Sequence, residues 1–273
     1  MTATVTEFEQ RWAEWRSERD RWARQPLGWL SLTGLHWLGE TGETFEGLPG
    51  TWWSDGESVH VRVESGDRPK GDELWFDSRV LSGTTTLTPR EAAPGLEVRT
   101  GQRVIEVIRR SGQFALRIHD PAASALASFT EIPVYQPDSR WLVTGRFEPY
   151  EVARVVTTGA VVDGLVHHHP ATGTVTVRLG DSEHRLIVFG SHTTGLHLLF
   201  TDATSGVTTY GGARRLDLPR PGADGSIVLD FNRAANLPCA FTDYATCPVA
   251  PPDNRLPVAI EAGERDPRPG RAS

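Results

Sequence analysis

Residues 103–120, "RVIEVIRRSGQFALRIHD", determine the fold class of this chain. The stretch resembles two strands joined at residues 110–113, which include a glycine, so it predicts a hairpin. The stretch "SVHVRVES" alternates between apolar and polar residues at Val59, Val61 and Val63, as a half-buried strand does. These two patterns predict a body of short antiparallel strands.

The strand pattern continues toward the C-terminus without recurring helices, which argues against a doubly wound α/β sheet. We predict a mainly β protein: an antiparallel β-sandwich or barrel-like body over about residues 50–232, within a single domain of residues 1–273. The further strand candidates are "RWLVTGRF", "VARVVTT", "TVTVRLG", "HRLIVFG", "LHLLFTD" and "SIVLDF".

An N-terminal amphipathic helix is predicted over residues 4–24, because large apolar residues recur there on one helical face. Pro26 and Gly28 end it. Residues 28–45, "GWLSLTGLHWLGETGETF", are apolar and punctuated by glycine, so we expect a turn-rich segment packed beneath the helix. The residues of the apolar face are Val5, Phe8, Trp12, Trp15 and Trp22.

The charge of the chain limits its partners. A formal net charge of −7 and the lack of a basic stripe argue against a nucleic-acid partner.

The N-terminus lacks the pattern of a signal peptide, and no apolar run approaches the ~18 residues of a membrane span. We therefore expect a cytoplasmic protein, in which Cys239 and Cys247 would normally stay reduced, although a disulfide is not excluded.

Residues 200–215, "FTDATSGVTTYGGARR", form the first candidate constellation. The residues from Asp202 to Gly206 suit a hairpin turn on local grounds alone. The alternative is a ligand site, because Tyr210 and Arg214 follow closely and an arginine orients carboxylates or phosphates through two parallel hydrogen bonds.

Residues 229–240, "LDFNRAANLPCA", form the second constellation. Asp230 and Asn232 would point the same way at a strand end, and Asn236 follows after the turn. Asparagines in such a turn either cap their own backbone or face a ligand, and both interpretations stay open. Cys239 would be either a buried structural thiol or a nucleophile activated by a nearby cation.

The histidines predict no metal site. Residues 167–169 are consecutive histidines before a proline, and we expect an exposed turn there because neighbouring strand residues point to opposite faces. A metal site at His184, His192 and His197 would need all three on one barrel interior with a carboxylate, which spacing alone does not indicate.

Four motifs in order resemble the bacterial family known as domain of unknown function 1684, over about residues 12–265. The resemblance implies no reaction, cofactor or substrate. It implies that residues 233–264 form a defined segment wrapped across the body. The polar residues 265–273 after it are expected to be a mobile tail. The motifs are "WLSLTGLHWL", "FTDATSGVTTYGGAR", "LDFNRAANLPCAFTDYATCP" and "PPDNRLPVAIEAGER".

These observations predict a small-molecule pocket where residues 202–214 meet residues 230–255. Asp230 or Asp202 would be the general base and Cys239 a less favoured nucleophile for hydrolytic or other acid–base chemistry on a small anionic metabolite. The predicted ligand-binding residues are Tyr210, Arg214, Asn232, Asn236 and Arg255.

Three alternatives stand beside this prediction. An ion pair between Arg214 and Asp230 would make the cluster structural. A non-catalytic module would bind a metabolite or peptide with the same residues, and a flavin-binding split barrel would follow from fold analogy alone. The sequence does not fix a cofactor or an oligomeric state.

Overall fold

The protein is mainly β, as predicted, with antiparallel sheets and an N-terminal helix. The chain forms two compact units. The middle unit comprises residues 23–129, and the C-terminal unit combines residues 1–22 with residues 130–273. The predicted single domain of residues 1–273 stays a prediction. The structure, a computed structural model, describes residues 6–64, 71, 73–191 and 195–268.

The N-terminal helix α1 spans Glu7–Ala23, close to the predicted range. It begins with a capping box, in which Thr6 Oγ1 accepts from the Glu9 N–H at 3.2 Å and Glu9 Oε2 accepts from the Thr6 N–H at 2.8 Å. No helix in the described part of the chain is long and apolar enough to span a membrane. Val5 lies outside the described residues, and the half-buried residues of the predicted apolar face are Phe8, Trp12, Trp15 and Trp22.

The middle unit contains two antiparallel sheets and a short helix. Its strands are β1 (Leu32–Trp37), β2 (Thr51–Ser54), β3 (Val59–Val63), β4 (Trp75–Phe76), β5 (Arg79–Val80), β6 (Gly83–Leu87), β7 (Leu96–Thr100), β8 (Arg103–Arg110) and β9 (Gln113–His119), and the helix is α2 (Ser124–Ser128). The six-stranded sheet has the order β1-β9-β8-β7-β4-β5, and the three-stranded sheet has the order β2-β3-β6.

The predicted hairpin is confirmed as β8 and β9. Its turn residues Ser111 and Gly112 have φ angles of 52° and 79°, the left-handed pair that a two-residue hairpin needs. The alternation in β3 is also confirmed, since Val59, Val61 and Val63 are all buried in the core of the unit.

The prediction of a turn-rich segment over residues 28–45 is wrong for its central part. β1 lies there and pairs with β9. Gly34, which suggested a turn, lies within the strand next to a register shift, a position where glycine marks a bulge and not a chain reversal.

The C-terminal unit is built on a seven-stranded antiparallel sheet whose core includes Phe147, Val175, Phe200 and Phe231. Its strands are β10 (Leu142–Gly159), β11 (Val166–Leu179), β12 (Ser182–Ser191), β13 (Gly195–Phe200), β14 (Arg214–Leu218), β15 (Ser226–Asp230) and β16 (Ala235–Asn236). The order is β15-β10-β11-β12-β13-β14-β16, so β14 and β15 follow each other in sequence without being neighbours.

The predicted wrapped C-terminal segment is confirmed. It contains two 3-10 turns, Pro238–Ala240 and Pro252–Asn254, which suit its prolines. Isolated β-bridges pair Ala160 with Pro248, Thr201 with Arg255 and Val134 with Glu264. These bridges hold the segment against the unit along its length.

Residues 265 and 266, at the start of the predicted mobile tail, are hydrogen bonded to the rest of the unit. The N–H of Arg265 donates to the carbonyl of Pro133 at 2.8 Å, and the N–H of Asp266 donates to that of Thr208 at 3.2 Å. Residues 269–273 lie outside the described residues.

Candidate functional site

Arg214, predicted to hold an anionic ligand, is the first residue of β14 and is fully buried. Its Nη2 donates to Asp202 Oδ2 at 2.6 Å, and its Nη1 donates to the carbonyl of Ala262 at 2.5 Å. The carbonyl of Ile260 accepts a third bond, from Nη2 at 3.2 Å. Arg214 therefore holds the C-terminal segment from inside the unit. Asp202 supplies the compensating charge that a buried arginine needs.

Asp202, a predicted general base, is the buried partner of this arginine. Its Oδ1 accepts from the N–H and the hydroxyl of Thr204 at 2.8 and 2.6 Å, and from the N–H of Ile260 at 3.2 Å. Both carboxylate oxygens are therefore occupied inside the protein. A general base must reach a substrate proton, so Asp202 would act as one only if these bonds opened, and its role stays a prediction.

The ion pair between Arg214 and Asp230 that we considered is not formed. It required a hairpin between β14 and β15, but β15 pairs with β10. Asp230 Oδ1 instead accepts from the N–H and the Nδ2 of Asn232 at 3.2 and 3.0 Å. Asn232 is further held by Asp138, whose N–H donates to Oδ1 at 2.9 Å and whose carbonyl accepts from Nδ2 at 3.0 Å. Asp230 and Asn232 thus fix a turn.

Asn236 does lie beside Arg214, as predicted, because the two residues are partners in the β14–β16 pair. Its backbone N–H donates to Glu264 Oε2 at 2.6 Å, and its Nδ2 donates to the carbonyl of Arg265 at 2.8 Å. Glu264 is fully buried and pairs with Arg19 of α1 at 2.5 Å. Burial raises the pKa of the Glu264 carboxyl above its usual value.

Two predicted residues meet elsewhere, in a pocket of about 910 Å³ within the C-terminal unit. Tyr210 and Cys239 line it, whereas Arg255 lies exposed on the surface outside it. Of the predicted residues, Tyr210 and Cys239 therefore line the pocket, and Arg255 does not. The polar residues that line it include Thr208, Tyr210, Cys239, Asp243, Arg265 and Arg268.

Cys239 and Cys247 are buried thiols that contact each other. The backbone N–H of Cys239 donates to Cys247 Sγ at 3.3 Å, and the Tyr210 hydroxyl hydrogen bonds the Cys239 thiol. The bonds from Cys247 and Tyr210 lower the pKa of the Cys239 thiol although burial opposes them. Burial raises the pKa of the Tyr210 hydroxyl above its usual value, so Tyr210 keeps its proton and remains a hydrogen-bond donor.

Arg268 frames the backbone around the thiol. Its Nε donates to the carbonyl of Ala240 at 2.7 Å, its Nη2 to that of Cys239 at 2.8 Å and its Nη1 to Asp243 at 3.0 Å. The Arg265 guanidinium lies 5.4 Å from the ring centre of Tyr135. Arg265 lines the pocket, and it forms no ion pair with a carboxylate among residues 6–64, 71, 73–191 and 195–268.

Sequence reasoning did not identify Arg265 and Arg268, because they fall in the predicted mobile tail. Arg268 bonds the backbone of Ala240 and of Cys239, which lie 28 and 29 residues before it in the chain. The Arg265 carbonyl accepts from Asn236, which lies 29 residues before it. No local pattern reveals such a contact. The one available signal was the polar, defined motif around Cys239, which implied that something packs over it.

The three consecutive histidines are not in a turn, which corrects that prediction. They lie in β11, where His168 pairs with Thr157 across from β10. His167 and His169 share the other face, with ring centres 5.6 Å apart. Strand pairing continues through this polar stretch, which pattern alone did not show.

His192 lies outside the described residues, and within the described ranges no three His, Cys, Asp or Glu side chains are grouped to hold a metal ion.

Comparisons with known proteins match a region that contains most of the residues of the pocket. The profile of the family "Protein of unknown function (DUF1684)" matches residues 127–265, just over half of the chain, which include Tyr210, Cys239 and Arg265. No curated protein matches the chain. The solution NMR structure of an uncharacterized protein from Haloarcula marismortui is 29% identical, over 51% of this chain and 78% of that one, with a TM-score of 0.43.

Proposed function

Because the chain belongs to the DUF1684 family, which is described as having unknown function, we propose its function from its own geometry. The pocket beside Tyr210 binds a small anionic metabolite, and the thiol of Cys239 is the group that reacts with it. The observation that carries this proposal is the lining of the pocket: it contains the Cys239 thiol, the Tyr210 hydroxyl that hydrogen bonds this thiol, and the cation of Arg265.

The residues of the pocket have distinct roles in this proposal. Arg265 attracts the anion, since an acidic protein needs a local positive charge to hold one. Tyr210 stabilises the thiolate, which is the nucleophilic form of cysteine. Arg268 fixes the backbone of Cys239 and so positions the sulfur. The volume of the pocket lies within the range of small-molecule sites.

The acid–base chemistry predicted from the sequence enters the proposal at the thiol and not at Asp202 or Asp230, whose side chains are held by internal hydrogen bonds. We also propose a cytoplasmic location in a bacterial cell. A reducing compartment would keep Cys239 in the thiol form that this function needs.

Titration with phosphate and with citrate tests the anion site. We expect the intact protein to bind at least one of them in a calorimeter, and Arg265→Ala to weaken that binding about tenfold, because a charge-assisted hydrogen bond contributes ~1.5–3 kcal/mol. Arg255→Ala is the matched control, since Arg255 is exposed outside the pocket. Equal binding by the Arg265 variant, or no binding of either anion by the intact protein, would refute the anion site.

A further inference from the structure

We infer that Cys239 and Cys247 form a redox-active dithiol that reduces a small anionic disulfide bound in the pocket. The inference rests on the proposed function for the choice of an anionic substrate. The chemistry of the two sulfurs stands on their own contact, in which the Cys239 N–H donates to Cys247 Sγ at 3.3 Å.

The two thiols differ in their access to the pocket. Cys239 lines it, whereas Cys247 lies behind, against the backbone of Cys239. This arrangement suits an attacking thiol that meets the substrate and a resolving thiol that reaches only the first sulfur. Tyr210 hydrogen bonds the attacking sulfur and favours its thiolate.

The other groups of the pocket favour disulfide exchange over hydrolysis. Hydrolysis through a thioester needs a base beside the sulfur, and the residues that line the pocket include no imidazole. Its two carboxylates are both bonded to Arg268, Asp243 through the guanidinium and Asp266 through the backbone N–H. The reactive group next to Cys239 is a second thiol.

The substrate class follows from the charge and size of the pocket. Arg265 presents a cation, which suits a carboxylate-bearing molecule. A volume of about 910 Å³ accommodates a molecule with two halves joined by a disulfide, whereas a small peroxide would leave most of it empty.

The reaction balances in two exchange steps. The Cys239 thiolate attacks one sulfur of the substrate disulfide, forms a mixed disulfide and expels the first substrate thiolate, which takes up a proton. The Cys247 thiol then loses its proton and attacks the Cys239 sulfur, which forms the Cys239–Cys247 disulfide and expels the second thiolate. Two electrons pass from the cysteines to the substrate. A dithiol reductant restores the enzyme by the same exchange.

The test treats the reduced, reductant-free protein with one equivalent of glutathione disulfide and measures the intact mass and the glutathione released. The intact protein should lose two hydrogens and release two glutathiones. Cys247→Ser should retain one glutathione on Cys239. Cys239→Ser should neither retain nor release glutathione. An adduct that persists on the intact protein, or release of both glutathiones by Cys247→Ser, would overturn the dithiol.

A second disulfide separates this inference from the proposed anion site. Arg265→Ala should react about tenfold more slowly with glutathione disulfide but equally fast with neutral hydroxyethyl disulfide, given the size of a charge-assisted bond. The ratio of the two rates is the readout: an Arg265 variant in which this ratio equals that of the intact protein, while the internal disulfide still forms, would refute the anion site and leave the dithiol standing. Melting curves verify that each variant is folded, and Cys247→Ser, which keeps the attacking thiol, decides the question if Cys239→Ser does not fold.

Discussion

Arg214 and Asp202 are both fully buried, so each charge depends on the other for compensation. Arg214→Met would leave the Asp202 carboxylate buried without its cation, and we expect a loss of ~3–5 kcal/mol in the free energy of unfolding, measured in urea. Arg215→Met is the control, because the Arg215 side chain is 40% exposed and its pair with Asp217 contributes about 1 kcal/mol or less. A stable Arg214 variant would contradict the structural assignment.

Tyr210 lowers the pKa of the Cys239 thiol. Its hydroxyl hydrogen bonds the thiol and favours the thiolate, so Tyr210→Phe removes a stabilising bond from the charged form. We expect the pKa of Cys239 to rise, and the rate of alkylation by iodoacetamide to fall at neutral pH with its midpoint moved to higher pH. Tyr244→Phe, outside the pocket, should leave the profile unchanged. An unshifted midpoint in the Tyr210 variant would show that the bond does not tune the thiol.

The helix α1 is fixed to the C-terminal unit by charged contacts. Arg19 Nε bonds Glu264 at 2.5 Å, and Asp20 Oδ1 accepts from the N–H of Ile132 at 3.0 Å. The helix therefore caps the end of the wrapped segment, where Glu264 also accepts from Asn236. Half-buried tryptophans alone predicted a docked helix, and the ion pair gives it one position.

The Arg19–Glu264 pair predicts a pH dependence. Burial raises the pKa of Glu264, so the folded state holds its proton more tightly than the unfolded chain, and this stability is lost as pH rises through the raised pKa. Arg19→Met removes the attraction to the charged form and raises that pKa further. We expect a destabilisation of ~3–5 kcal/mol at neutral pH and a smaller one near pH ~4. Urea unfolding at both pH values measures it.

Adding Glu264→Gln to the Arg19 variant provides the control, because it removes the titrating group. The double variant should lose the difference between the two pH values. If Arg19→Met is equally destabilising at both, the helix is held by packing and not by this pair.

The elements that sequence predicted are those whose signal is local. Alternation in β3 and the turn at Ser111 and Gly112 needed no distant partner. Gly34 misled because a glycine in a strand and one in a turn look alike until the pairing with β9 is known. The pocket was half predicted, since Tyr210 and Cys239 belong to polar motifs, while Arg265 reaches it only through a fold-back of the chain.

At the scale of the whole molecule, each of the two units has a hydrophobic core of its own. The family match, residues 127–265, lies almost entirely in the C-terminal unit, which also contains the pocket. The middle unit, residues 23–129, interrupts the C-terminal unit in chain order. The chemistry that we propose therefore depends on residues outside the middle unit.

This arrangement predicts that damage to the middle core leaves the thiol site folded. Trp52 is fully buried there, and its Nε1 donates to the carbonyl of Pro49 at 2.9 Å, so Trp52→Ala should cost ~3–5 kcal/mol. We expect limited proteolysis of this variant to cleave within residues 23–129. The N-terminal fragment should stay bound through the Arg19–Glu264 pair.

Alkylation of Cys239 is the measurement that decides this prediction. In the Trp52 variant the thiol should react at the rate of the intact folded protein, because its contacts with Tyr210 and Cys247 lie in the other unit. Phe200→Ala is the matched comparison, since Phe200 is fully buried in the C-terminal core and its loss should bring the alkylation rate toward that of the urea-unfolded chain. If Trp52→Ala exposes Cys239 as much as Phe200→Ala does, the two cores unfold together and the site needs both.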